Sequence, residues 1–149
     1  MDIDLIETEL RRDEGVKYTP YRDNSPKKNL TVGIGHNLAA SPLPGEKYPM
    51  TDARVNQILS SDLTRTFAGL DQHLPWWRKL DEVRQRVIAN MAFEMGVDGL
   101  MTFTNTLKFI EAGSYLKAAM GMRASEWARE VPARAGRLSD AMQTGIMPG

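Results

Sequence analysis

One stretch sets what this chain can fold into. Residues 11–37, RRDEGVKYTPYRDNSPKKNLTVGIGHN, interrupt a sequence whose apolar residues otherwise recur three and four apart. Inside the stretch, Val16, Tyr18 and Tyr21 are β-formers, Leu30–Ile34 reads as a short strand, and the polar run Asp23–Asn29 is a turn between them. A small antiparallel sheet flanked by helices follows. The fold class is therefore α+β, with strands and helices segregated along the chain.

The flanking segments have recognisable stops. Ile3, Ile6 and Leu10 mark a helix over residues 4–13, with Gly15 as its end. Residues 39–50, AASPLPGEKYPM, are an irregular loop. Thr51 is a natural N-cap for a helix over about residues 52–70, whose stripe Val55, Ile58, Leu59, Leu63, Phe67 and Leu70 stays in phase. Pro75-Trp76-Trp77 breaks the helical pattern. Beyond Asp81 come a stripe closed by Gly96 (Val83, Val87, Ile88, Met91, Met95) and helices over 104–112, 114–122, 125–131 and 133–144. The expected organisation is one domain over 1–149. Its lobes are about 13–60 and 71–149 plus residues 1–12, and the helix of 52–70 connects them and is a candidate hinge.

Composition narrows the function. There is no cysteine, so disulfides and thiol catalysis are excluded, and His36 and His73 offer no zinc spacing. Lys+Arg and Asp+Glu both number 19, without the basic excess of a nucleic-acid binder. The N-terminus MDIDLIETELRRDEG has no signal-peptide character, and no run approaches the roughly 18 apolar residues of a membrane span. Locally the charge is uneven. Arg11, Arg12, Lys17, Arg22, Lys27 and Lys28 outnumber Asp13, Glu14 and Asp23, a rim that favours an anionic polymer or is simply a solvated turn.

Glu14 and Asp23 are the carboxylates to weigh for chemistry. Cleaving a glycosidic bond needs one carboxyl group as acid and a second as base or nucleophile. Glu14 lies at the negative end of a helix dipole, which suits an acid, and Asp23 lies in a hydrated turn. Thr31 opens the facing strand, where it can hold a water against Asp23. Taken singly, such residues are ordinary surface groups, and Gly33-Ile34-Gly35 is a tight backbone turn rather than a phosphate cradle.

Taken together, Glu14-Gly15, Tyr21-Arg22-Asp23 and Thr31-Val32-Gly33-Ile34-Gly35-His36-Asn37 resemble the phage-type lysozymes, glycoside hydrolase family 24, which include the T-even phage enzymes. The resemblance extends through Met91-Ala92-Phe93-Glu94-Met95-Gly96, Phe103–Leu107, Trp127 to Arg137 and Thr144-Gly145, essentially the whole chain. It implies a lysozyme-like fold and an inverting hydrolase in which Glu14 is the acid, Asp23 the second carboxylate and Thr31 the residue that positions water. It further implies that Arg134 pairs with the acid, that His36 and Asp62 form a supporting ion pair, and that Asn37, Phe93 and Thr106 contact substrate. The Asn24–Asn29 turn is longer than in familiar members, Gly121 stands where they offer a polar contact, and the Pro42–Met50 loop is shorter.

The implied function is that of an endolysin, a muramidase cutting peptidoglycan between N-acetylmuramic acid and N-acetylglucosamine in a cleft between the lobes. It needs no cofactor, no metal, no nucleic acid and no membrane anchor. The expected state is a monomer held in the host cytoplasm until a holin opens the way to the wall. Two alternatives stand beside it: a lytic transglycosylase of the same fold, and a non-catalytic wall-binding module of a virion. Trp76-Trp77 is either a stacking platform or a helix-junction cap. The nine methionines are adaptable core filling.

Overall fold

A computed structural model describes all 149 residues. The elements are α1 (Ile3–Glu14), β1 (Lys17–Arg22), β2 (Leu30–Gly33), β3 (His36–Asn37), α2 (Asp52–His73), a 3-10 turn (Trp77–Lys79), α3 (Glu82–Met101), α4 (Thr104–Glu111), α5 (Tyr115–Arg123), α6 (Glu126–Glu130) and α7 (Pro132–Thr144). This is an α+β, lysozyme-like fold. By internal packing the chain divides into two units, Ile3–Arg65 and Met1–Asp2 with Thr66–Gly149. Helix α1 falls in the unit that holds the sheet. No helix is long and apolar enough to cross a membrane.

In the first unit α1 stops at Gly15, whose φ of 74° is strained for a side-chain-bearing residue and whose N–H closes on the Arg11 carbonyl at 3.0 Å. The sheet is antiparallel in the order β1-β2-β3. Tyr21 pairs with Thr31, and Thr31 with Asn37, so these three residues form one row across it. The β1–β2 ladder is irregular between Lys17 and Tyr21, where Pro20 lacks an N–H to give it; Pro is tolerated there because β1 is an edge strand. Strand β3 is absent from the sequence reading, since two residues carry no periodicity. Thr51 caps α2 as expected, its Oγ1 accepting from Arg54 N–H at 3.1 Å. The Tyr18 hydroxyl donates to Asp52 at 2.6 Å and ties β1 to the same helix start.

The helical unit is built around α3. Val87, Ile88, Ala89, Asn90, Met91 and Ala92 are buried in succession, so α3 is covered on all sides there rather than along a stripe. Gly96 breaks the helix at φ 78°, ψ 157°, as its sequence position predicts, but the helical path resumes to Met101, a turn the sequence reading did not include. Also contrary to that reading, α2 continues past Leu70 to His73. Trp77 is fully buried, stacks on Phe67 at 5.8 Å between centroids and donates its Nε1–H to Asp71 at 2.7 Å. Of the two readings of Trp76-Trp77, the helix-junction cap therefore holds for Trp77. Arg84 of α3 closes the end of α7, donating from Nε to the Met142 carbonyl at 2.7 Å and from Nη2 to that of Gln143 at 3.2 Å, just before Gly145 turns left-handed at φ 77°.

Candidate active site

Glu14 is the last residue of α1 and is half-buried. Its carboxyl group lies directly on Gly35, in the turn between β2 and β3. A Cβ at Gly35 would stand 2.1 Å from Glu14 Oε2 and 2.7 Å from Cδ. A side chain at position 35 would thus have to push the Glu14 carboxyl aside and would be strained by the φ of 65°. The Gly-X-Gly is a tight backbone approach, as read from sequence, and what approaches it is the candidate acid.

Asp23 follows β1 directly, and its N–H donates to the Asn29 carbonyl at 3.0 Å, which carries the hairpin one step beyond the ladder. Its Oδ1 accepts three hydrogen bonds: Ser25 N–H at 3.1 Å, Ser25 Oγ–H at 2.6 Å and Asn29 N–H at 3.0 Å. Thr31 is buried and donates its hydroxyl to the same Asn29 carbonyl at 2.9 Å, leaving its oxygen to accept. In the longer 24–29 turn, one backbone carbonyl thus accepts from both Asp23 and Thr31. The backbone at Asn29 holds both residues.

Tyr21 is the residue that sequence reasoning missed. Its hydroxyl is pushed above its ordinary value by burial, then by the negative charge of Glu14, then by that of Asp23. One phenol thus lies within electrostatic reach of both carboxylates, and its partner across the ladder is Thr31. The available signal was the pairing of Tyr21 with Thr31, which can be counted only once the register is known.

Asn37 completes the row, with its Oδ1 accepting from Ala39 and Ala40 N–H at 2.9 and 3.1 Å, so its amide nitrogen is the end left to turn outward. His36, in β3, is buried, with Nδ1 2.7 Å from Asp62 Oδ2 and Nε2 2.7 Å from the Ser41 carbonyl. Two acceptors demand a proton on each ring nitrogen, and the Asp62 hydrogen bond holds the imidazole above its ordinary value despite burial. Arg65 also reaches Asp62. The expected His36–Asp62 pair is present.

Three named residues lie in the helical unit. Arg134 is buried, donating from Nε to Asn90 Oδ1 at 2.9 Å, with Glu94 Oε1 3.5 Å away. Glu94 also accepts from Trp127 Nε1 at 2.9 Å, and Trp127 meets Phe103 edge-on. Phe93 is half-buried on α3. Thr106 is buried on α4 against Gly121, where a Cβ would come within 2.6 Å of its hydroxyl oxygen. With no side chain, Gly121 leaves room for that hydroxyl.

A family model described as Phage lysozyme matches residues 11–141. The chain is 29% identical to "Probable T4-type lysozyme 1" of Dictyostelium discoideum, covering 97% of each chain. It is 28% identical to "Probable T4-type lysozyme 2" of the same organism, over 93% of each. It is also 30% identical to part of "Pre-baseplate central spike protein Gp5" of Enterobacteria phage T4, over 91% of this chain and 27% of that one.

Proposed function

Since the chain belongs to the phage lysozyme family, and so is a glycosidase-type hydrolase of peptidoglycan, we propose that it is an inverting muramidase with Glu14 as acid and Asp23 as second carboxylate. The bond cut is the β-1,4 link from N-acetylmuramic acid to N-acetylglucosamine. Glu14 protonates the departing oxygen, while Asp23 and Thr31 hold the water that attacks the opposite face of the sugar. Inversion requires the wider carboxyl spacing, about 6.5–9.5 Å, that admits this water. The observation that carries the reading is Tyr21, which pairs with Thr31 across the sheet and whose phenol is raised by burial and then by the charges of both carboxylates.

Asn37 is assigned to substrate contact from its place in the row. Phe93 and Thr106 are assigned to substrate contact, and Arg134 to a supporting role, on the family pattern alone. In its biological setting the protein acts as a monomer on the host wall at lysis, after a separate holin opens the membrane. Expression with and without a holin tests that setting, with lysis expected only in the first case.

Digestion of purified sacculi tests the chemistry. Mass spectrometry of the released muropeptides should find reducing N-acetylmuramic acid ends, and NMR of the first-formed anomer should find inversion. Release of 1,6-anhydro ends would instead make the protein a transglycosylase. Glu14→Gln should lower turnover by roughly 10²–10⁴-fold with the fold intact, the range for loss of a general acid. Equal clearing by that variant would sink the assignment.

A further inference from the structure

We infer that Ser25, inside the longer turn, is a positioning residue that fixes which oxygen of Asp23 does the work; this rests on the reading of Asp23 given above. Ser25 gives Asp23 two of its three donors, the backbone N–H at 3.1 Å and the hydroxyl at 2.6 Å, and Asn29 N–H supplies the third at 3.0 Å. All three converge on Oδ1. A carboxylate oxygen offers about two lone-pair sites, so Oδ1 is saturated. No protein donor reaches Oδ2.

The consequence is directional. A free aspartate turns about its terminal torsion and presents either oxygen. With Oδ1 pinned by three donors, the carboxylate plane is set and Oδ2 is the oxygen left to accept a proton from water. Asn29 ties this to Thr31, because its carbonyl accepts from both Asp23 N–H and the Thr31 hydroxyl. The turn therefore builds base and water-holder as one piece. Ser25 Oγ–H is its single side-chain donor to the carboxylate, so it can be removed without altering the backbone.

The test compares kcat and KM of wild type, Ser25→Ala and Ser25→Thr on soluble peptidoglycan fragments, well below the melting temperature of each. Ser25→Ala should lose about tenfold in kcat, the scale of one hydrogen bond to a charged acceptor, with KM within about twofold. Ser25→Thr restores a hydroxyl at the same Cβ and should recover most of the loss. Wild-type kcat in Ser25→Ala, a loss carried by KM, or a loss that threonine does not recover would each overturn the inference. These outcomes are separable from failure of the underlying reading, which shows as wild-type protein that hydrolyses no wall or as Glu14→Gln that hydrolyses it normally.

Discussion

The carboxyl group of Glu14 rests on the α-carbon of Gly35, so closely that an added Cβ would lie 2.1 Å from Oε2. Gly35→Ala should therefore affect two quantities. Its left-handed φ of 65° would cost about 1–2 kcal/mol of stability in a non-glycine residue, read from the urea midpoint. Displacement of Glu14 by an ångström or more should lower wall hydrolysis by about 10²-fold, read on sacculi at a temperature where the variant is folded. Near-normal hydrolysis would mean that the Glu14 side chain tolerates another seat.

Tyr21 reports on both acids. Its ionisation is raised first by burial and then by Glu14 and Asp23, so removing either charge should bring it down toward the ordinary tyrosine value. A ¹³C titration of the tyrosine ring carbons in Glu14→Gln should find one resonance titrating at lower pH than in wild type, and Asp23→Asn should move the same resonance by less. No movement in either variant would place the phenol away from the carboxylates.

The His36–Asp62 contact predicts a pH-dependent stability of defined sign. The folded-state value of His36 is raised above the unfolded value of about 6.5. Its contribution is thus fully present below about pH 6.5 and is lost as pH rises through the folded-state value. Melting temperatures from pH 5 to 9 should fall across that window in wild type, and Asp62→Asn should flatten the slope. His36→Ala should mainly lower the melting temperature, leaving turnover of the folded protein close to wild type.

Arg84 bridges α3 to the end of α7 through two carbonyls. Arg84→Ala leaves those carbonyls without their partner and should destabilise the protein by about 1–3 kcal/mol, seen as a lower urea midpoint at unchanged slope. An unchanged midpoint would mean that water replaces the guanidinium at no cost.

Much of this protein is written locally. The stripe from Val55 to Leu70, the breaks at Gly15, Gly96 and Gly145, the Thr51 cap and the hairpin around Asp23–Asn29 follow from spacing and from what each residue's backbone permits, because helices and turns are decided by neighbours within a few positions. The set of residues worth weighing for chemistry, Glu14, Asp23 and Thr31, was legible only through the motif they form together, since each alone is an ordinary surface type. The tertiary structure alone decided that Glu14 lands on Gly35, that Tyr21 stands opposite Thr31, that three donors fall on one oxygen of Asp23, and that Trp77 goes inside. Those facts depend on strand register and on which oxygen or face a side chain presents. Register and facing are settled by packing across the chain rather than along it, so no local period carries them.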